Sequence, residues 1–301
     1  MPRVSVIINV HNGAATLHET LQSLLEQTFS DWELIFWDDC STDNSAGVLA
    51  GYAERRFRYF LAPEHTNLGQ ARHLAIREAM GDWVAFLDQD DVWLPRKLEQ
   101  QIALAGPAVG IIYGRTVMFF PDGSERDFDH LHEFEPLPEG DIFVRLFTES
   151  CFIAMSSAML LRSALQALGP MPTQVQTSPD YYFFIALARN YQARAVQTVV
   201  CRYRRHAAAM SNSRTPAMQS EAIWLVEQWS ACLDPGLVSR RRKIHHTVIA
   251  VHDLRSPKTV AAGMARLLAK GSVPFLMSKP FVLTWRAIRR RVDYPEWRRL
   301  H

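Results

Sequence analysis

The stretch Trp83-Val84-Ala85-Phe86-Leu87-Asp88-Gln89-Asp90-Asp91 joins an apolar run to three acids within four residues. Such a run is typical of a buried strand that ends at a surface pocket. Because neighbouring carboxylates repel one another, the cluster favours a compensating charge, most simply a bound divalent cation. The alternative is a solvated acidic turn before the next helix, so the surrounding sequence has to decide between the two.

Apolar runs alternate with amphipathic segments through the first third of the chain. Strands are predicted at Val4–Val10, Glu33–Trp37, Phe57–Leu61 and Trp83–Leu87. Helices are predicted after the capping-box pair Thr16 and Glu19, after Asp43, and from Gln70 to Met80. This alternation predicts a parallel sheet with helices on both faces, where ligands bind at the carboxyl ends of strands. Asp38-Asp39 and Asp88–Asp91 both follow predicted strands, so they would converge on one crevice.

The pattern becomes mixed after Trp93. It predicts a helix after Pro95, three short strands, a polar surface segment, a helix from Asp180 and a mostly helical region after Pro216. The three strands are Val109–Tyr113, Thr116–Phe120 and Ser157–Leu161, and the polar segment runs from Asp122 to Pro138. The predicted organisation is a main domain at 1–213 with a helical extension at 214–301.

Composition limits the functional classes. The chain has 301 residues, of which 48% are apolar, so it can bury a full core. A net charge of +2 argues against a general nucleic-acid binder. The four cysteines form no C-x-x-C and are typical of reduced thiols, and the sequence shows neither a secretory signal nor a membrane-spanning run. We therefore expect a cytoplasmic protein.

Two common nucleotide-binding signatures are missing. The chain contains no G-x-G-x-x-G and no G-x-x-x-x-G-K, which disfavours a dinucleotide fold and a P-loop. It also lacks H-E-x-x-H. His130 and His132 lie in the polar segment, where a metal role has little support.

Five motifs in one order resemble family 2 glycosyltransferases. They are Val4-Ser5-Val6-Ile7-Ile8-Asn9-Val10-His11-Asn12-Gly13, Leu21-Gln22-Ser23-Leu24-Leu25-Glu26-Gln27-Thr28-Phe29, Asp38-Asp39-Cys40-Ser41-Thr42-Asp43-Asn44-Ser45, Asn67-Leu68-Gly69-Gln70-Ala71-Arg72 and Phe86-Leu87-Asp88-Gln89-Asp90-Asp91. The resemblance implies a GT-A fold: α/β, with a mostly parallel central sheet flanked by helices. It also implies inverting transfer of a sugar from a nucleotide diphosphate to a hydroxyl of a saccharide or lipid-linked saccharide. Enzymes of this kind build cell-surface polysaccharides or glycolipids.

The resemblance implies a metal site at the acidic cluster. Asp90 is the metal ligand of the D-x-D motif, and Asp88 lies near the ribose and the metal-bound waters. His206, in Arg202-Tyr203-Arg204-Arg205-His206, completes the metal site or contacts the diphosphate, and Arg204 and Arg205 neutralise diphosphate oxygens. Mn²⁺ or Mg²⁺ suits such ligands. The alternatives are a basic surface loop for this motif and a helix-capping role for Asp91.

The resemblance also implies a donor site for a UDP-, GDP- or dTDP-sugar. Asp39 accepts a hydrogen bond from the nucleotide base, as a carboxylate can from an imino N–H. The other donor-binding positions are Val10, His11, Asn12, Arg72, Asp88 and Gln89. The alternatives are a turn role for Asp38-Asp39, a plain loop role for His11 where the family usually has Tyr, and a surface position for Arg72.

Inversion needs a general base near the anomeric carbon. By resemblance that base is Asp180 in Ser178-Pro179-Asp180-Tyr181-Tyr182, although the family often has Glu where this chain has Pro179. The alternative is an ordinary helix start, of which a Pro followed by an Asp is also typical. Trp93 and the pair Tyr181-Tyr182 are either an acceptor platform or core residues.

The C-terminal residues 272–301 combine aromatic and basic side chains. They suit either peripheral contact with an anionic membrane surface or packing on the main domain. Two rival functions stay open: a sugar-phosphate nucleotidyltransferase, and a non-catalytic nucleotide-sugar-binding protein on the same fold. The sequence predicts no oligomeric state.

Overall fold

The computed structural model describes residues 1–127, 136–149, 151–205 and 216–253. The chain divides into two compact units, Met1–Asn212 and Ser213–His301. The strands of the first unit form one sheet, in the order β3-β2-β1-β4-β8-β6-β9-β5, with β7 paired to β6.

One half of the sheet is parallel. Its strands are β1 (Val4–Val10), β2 (Trp32–Asp38), β3 (Phe57–Leu61) and β4 (Trp83–Phe86). The connecting helices are α1 (Ala14–Leu25), α2 (Ser45–Ala50) and α3 (Leu68–Arg77). β1 and β2 are buried along almost their whole length, as expected of central strands covered on both faces. The predicted strand–helix alternation is confirmed here.

The other half of the sheet is mixed. Its strands are β5 (Val92–Trp93), β6 (Val109–Phe119), β7 (Glu125–Asp127), β8 (Met159–Leu161) and β9 (Gln192–Arg204). β8 runs antiparallel to β4 and β6, whereas β9 runs parallel to β6 and antiparallel to β5. The two predicted strands between Val109 and Phe120 are one strand, with its register shifted around Gly114 and Arg115.

Helices complete both units. The first unit adds α4 (Lys97–Ile102), α5 (Phe143–Glu149), α6 (Arg162–Ala167) and α7 (Pro179–Ala188). The second unit contains α8 (Pro216–Gln228) and α9 (Pro235–Asp253), where Nδ1 of His245 lies 2.8 Å from Oε1 of Gln219. In the described part of the chain, no helix is long and apolar enough to cross a membrane.

One local prediction was wrong. The capping box at Thr16 and Glu19 does not form, because α1 already begins at Ala14 with Gly13 at its N-cap. The Thr16 hydroxyl donates instead to the main-chain oxygen of Gln89, at 2.9 Å. Strand β7 lies within the predicted polar surface segment, where it pairs with β6.

Candidate active site

The acidic loop, residues Asp88–Asp91, follows β4 at the carboxyl end of the parallel strands. Asp88 and Asp90 are half-buried. Arg72 of α3 is 3% exposed and donates to Oδ1 of Asp88 at 2.8 Å, with its guanidinium 5.6 Å from the Phe86 ring centre. Arg72 is therefore a buried partner of the acidic loop and not a surface residue.

Asp91 has a different role from its two neighbours. It is fully buried, and its Oδ1 accepts the main-chain N–H of Arg204 at 2.9 Å. Burial raises the pKa of Asp91 well above its usual range, and the charges of Asp90 and Asp88 raise that pKa further. The proposed capping role for Asp91 is wrong, because the next helix starts only at Lys97.

The acidic loop fits a hard divalent cation. Asp88 and Asp90 place two half-buried carboxylates on one short loop. Half-buried carboxylate oxygens are the donor set that Mg²⁺ and Mn²⁺ prefer. His206, the third predicted ligand, lies outside the described residues, as do His130 and His132.

Ser156 supports the acidic loop, and the sequence analysis missed it. The main-chain N–H of Asp88 donates to the Ser156 hydroxyl at 3.0 Å, and the indole N–H of Trp93 donates to the main-chain oxygen of Ser156 at 2.7 Å. It lies in a short 3-10 turn before β8, so only tertiary pairing brings it to β4.

Arg204 of β9 also holds the loop from behind. Its Nε donates to the main-chain oxygen of Asp90 at 2.7 Å, and its terminal nitrogen pairs with Glu19. The guanidinium lies 4.4 Å from the ring centre of Phe119. These contacts make Arg204 a support of the acidic loop, so the prediction that it neutralises diphosphate has no geometric support.

A second site surrounds Asp39, at the end of β2. Asp39 is 4% exposed, and its carboxylate accepts from the main-chain N–H of Thr66 at 3.1 Å and pairs with Nδ1 of His65 at 2.7 Å. Its main-chain N–H donates to the oxygen of Val10, at 2.8 Å. Val10 itself is buried, so it contributes through its main chain.

Two residues near Asp39 adopt left-handed backbone conformations, which is uncommon for residues other than glycine. They are Asn12, with a φ of 55°, and Cys40, with a φ of 60°. Oδ1 of Asn12 accepts from the main-chain N–H of Thr42 at 2.8 Å. Asn12 therefore fixes the loop after β2. Its contact with the donor stays a prediction.

Asp38 and Asp39 have distinct surroundings. Oδ1 of Asp38 accepts the main-chain N–H of Ser41 at 2.8 Å, and its Oδ2 accepts the Tyr59 hydroxyl at 2.9 Å. The turn role is confirmed for Asp38. The Asp39 carboxylate lies instead beside two imidazole rings.

Those rings belong to His11 and His65. Their centres are 4.2 Å apart, and Nδ1 of His11 lies 2.9 Å from the main-chain oxygen of Asp39. Among the described residues, His11, Asp39 and His65 are the one group of His, Cys, Asp or Glu with metal-ligand spacing. The sequence analysis missed His65, because a lone His beyond β3 carries no local signal.

Gln89 joins the two sites. Its Oε1 accepts the main-chain N–H of His11 at 2.9 Å, and its Nε2 donates to the main-chain oxygen of His11 at 3.3 Å. The Gln89 side chain packs so closely on Gly13 that a Cβ there would lie 2.7 Å from Oε1. Gln89 therefore links the acidic loop to the loop beside Asp39 by two hydrogen bonds and by close packing.

Asp180 lies in the first turn of α7, behind Ser178 and Pro179. One turn further on, Phe183 stacks on Phe86 with ring centres 6.2 Å apart. Because residues three apart share a helix face, this contact turns the Asp180 side of α7 toward the end of β4. Asp180 itself is half-buried.

The aromatic residues considered as an acceptor platform belong to the core. Trp93 is 2% exposed, and the ammonium group of Lys97 lies 3.9 Å from its ring centre. Tyr181 and Tyr182 are 8% and 9% exposed, and the Tyr181 hydroxyl donates to the main-chain oxygen of Leu146. None of the three offers an open ring face, so the platform hypothesis was wrong.

The sequence pattern described as "Glycosyl transferase family 2" matches residues 5–169, more than half of the chain. The chain belongs to this family. The match covers the acidic loop and the Asp39 site, so both lie in the part that defines the family. The C-terminal residues 272–301 lie outside the described residues.

Curated relatives in the family act in bacterial polysaccharide biosynthesis. One is the Escherichia coli UDP-Glc:alpha-D-GlcNAc-diphosphoundecaprenol beta-1,3-glucosyltransferase WfgD, 25% identical over 70% of this chain and 80% of that protein. WfaP of the same species carries the same enzyme name and is 27% identical over 83% of this chain and 92% of its own. Bacillus subtilis TuaG, a putative teichuronic acid biosynthesis glycosyltransferase, is 39% identical over 34% of this chain and 41% of its own.

Solved structures confirm the GT-A fold. S. aureus TarS 1-349 in complex with UDP-GlcNAc has a TM-score of 0.65, with 18% identity over 83% of this chain and 71% of that chain. The mannosyltransferase PcManGT from Pyrobaculum calidifontis, in complex with GDP-Man and Mn²⁺, has a TM-score of 0.59. It is 22% identical and covers 94% of this chain and 83% of its own.

Proposed function

We propose that this protein is an inverting, metal-dependent glycosyltransferase that moves a sugar from a UDP-sugar to a hydroxyl of a lipid-linked saccharide. The observation that carries the proposal is the Gln89 bridge. It joins an oxygen-rich acidic loop to a buried carboxylate at the neighbouring strand end. A diphosphate beside the acidic loop and a base beside Asp39 would be two parts of one nucleotide sugar.

Asp39 is proposed to read the base. Its buried carboxylate accepts hydrogen bonds only, and Thr66 holds it in place. A uracil imino N–H is a complementary donor. WfgD and WfaP are named for a UDP-Glc donor, and TarS was solved with UDP-GlcNAc, which makes UDP the first nucleotide to test.

Asp88 and Asp90, with His206, are proposed to hold the divalent cation, Mn²⁺ or Mg²⁺. When bound, the ion supplies positive charge for the leaving diphosphate. Arg72 restrains one oxygen of Asp88, while Ser156 and Arg204 hold the main chain of the loop. The residues that touch the donor are thereby kept at fixed positions before the donor arrives.

Asp180 is proposed as the general base. Its carboxylate removes the proton from the acceptor hydroxyl as that oxygen attacks the anomeric carbon. One base and no enzyme nucleophile give a single displacement, so the anomeric configuration inverts. The acceptor class follows the names of WfgD and WfaP, which specify a sugar on a diphosphoundecaprenol. Because a lipid-linked acceptor lies at a membrane, the proposal includes peripheral membrane contact through residues 272–301.

A nucleotide panel tests this function. Thermal shift with UDP-, GDP- and dTDP-sugars, with and without Mn²⁺, should show a Mn²⁺-dependent stabilisation by UDP-sugars. A donor hydrolysis assay on the best ligand then separates an enzyme from a binding protein. Absence of any stabilisation by nucleotides would contradict the proposal, and binding without hydrolysis or transfer would favour the non-catalytic alternative.

A further inference from the structure

His11, Asp39 and His65 place two imidazoles and one carboxylate around a common point. One ligand atom from each residue lies within 4.8 Å of the others. Nδ1 of His65 is 2.7 Å from Oδ2 of Asp39 and 3.2 Å from its main-chain oxygen, where Nδ1 of His11 lies at 2.9 Å. Both rings therefore point their Nδ1 atoms at the same residue.

The ligand chemistry differs from that of the acidic loop. Two imidazole nitrogens and one carboxylate oxygen suit Zn²⁺, whereas the site proposed at the acidic loop is richer in carboxylates, with Asp88 and Asp90 beside the single imidazole of His206, and suits Mn²⁺ or Mg²⁺. Three protein ligands around Zn²⁺ leave a fourth, open position for water. The two sites would therefore favour different cations, because their ligands differ.

The group is held in place by neighbouring residues. Thr66 fixes the Asp39 carboxylate, and Gln89 holds the main chain of His11 on both its N–H and its oxygen. Tetrahedral zinc with bonds of about 2.0 Å requires ligand atoms about 3.3 Å apart, so the most distant pair has to close by at most roughly 1.5 Å, while the His65–Asp39 pair at 2.7 Å has to open slightly. The His65 side chain is 57% exposed, which leaves room for that adjustment.

We propose that His11, Asp39 and His65 form a Zn²⁺ site that overlaps the base pocket, so that zinc and the nucleotide base exclude each other. The overlap rests on the proposed role of Asp39 as the base-reading residue, whereas zinc binding does not. Zinc binding through Nδ1 replaces the contacts of the two rings with the Asp39 oxygens and requires each neutral imidazole to carry its proton on Nε2.

The first arm of the test measures zinc alone. Metal-free full-length protein competes for Zn²⁺ with a chromogenic chelator, as wild type and as His65→Ala. The expected result is at least tenfold weaker binding in His65→Ala, since one direct ligand is lost. His18→Ala removes another exposed histidine, on α1, and should bind zinc as the wild type does. Asp90→Ala should also retain the site. Equal zinc affinity in wild type and a folded His65→Ala would overturn the proposal.

The second arm measures UDP binding by calorimetry with Mn²⁺ held constant. Rising Zn²⁺ should raise the apparent Kd for UDP in proportion in the wild type, and should not do so in His65→Ala. A UDP affinity that ignores zinc in the wild type would overturn the overlap. Failure of the proposed function looks different, because UDP would then not bind even without zinc.

Discussion

The parallel and mixed halves of the sheet contribute to the site in different ways. In the parallel half, Asp39 and the acidic loop follow their strands directly, so chain position alone brings them to one edge. In the mixed half, Arg204 reaches Asp91 across 113 positions of sequence, and Ser156 reaches Asp88 across 68. In the proposed function, the first half presents the ligand-binding groups and the second half holds them, while helix α7 before β9 carries the proposed base, Asp180.

The largest effect should come from the mixed half. Asp180→Asn removes the proposed base, so turnover should fall about 10²–10⁴-fold, while UDP affinity stays within about twofold. Initial rates and calorimetric titration of the same preparation give both values. Asp141→Asn alters another helix-start aspartate, whose Oδ1 accepts the main-chain N–H of Phe143, and should turn over normally. A normally active Asp180→Asn would refute the base assignment.

In the parallel half, Asp39→Ala should weaken UDP binding about 10–100-fold, because a hydrogen bond to a buried charge is lost. Turnover at saturating donor should change much less, since the interaction exists before and during the reaction. Steady-state kinetics with varied donor separate the two effects. If KM were unchanged and kcat fell instead, Asp39 would act on the chemistry and not on the base.

Lys97 provides a pH test of the mixed half. It is fully buried, and burial lowers its pKa from 10.5 to about 7. Between these values the unfolded chain binds more protons than the folded protein, so this group adds stability as pH rises and loses it as pH falls toward 7. The unfolding free energy of the wild type minus that of Lys97→Met should be roughly 2 kcal/mol larger at pH 9 than at pH 7. Urea titrations at both pH values measure it. A difference independent of pH would mean that Lys97 keeps its proton when buried.

The smallest predicted effect concerns support of the acidic loop. Ser156→Ala leaves the main-chain N–H of Asp88 without its side-chain partner, which should cost about 1 kcal/mol of stability. Turnover should fall as well, because the loop loses its restraint. Ser157→Ala is the matched control, since its buried hydroxyl donates only to the main-chain oxygen of Ala154. Equal turnover in both variants would show that Ser156 is structural.

The contrast between the halves explains what the sequence could predict. Strands β1 to β4 carry continuous apolar runs, and their ends carry acids, so both the sheet and the acidic loop were predictable from local patterns. Strand β9 was missed because its apolar residues are interrupted by exposed polar ones. The roles of Ser156 and His65 depend on contacts across the fold, and no local pattern predicts such contacts. Arg204 was assigned to the diphosphate because its contacts with the acidic loop, Glu19 and Phe119 could not be known from the sequence.

The proposed function requires the parallel half to bind a nucleotide diphosphate through a cation held by the acidic loop. Calorimetric titration of UDP into wild type and Asp90→Ala, each with Mn²⁺ and with a chelator, tests it directly. If Asp90 holds the cation, Mn²⁺ should tighten UDP binding at least tenfold in the wild type, and Asp90→Ala should abolish this gain. Equal UDP affinity with and without Mn²⁺ in the wild type, or an undiminished Mn²⁺ effect in Asp90→Ala, would contradict it.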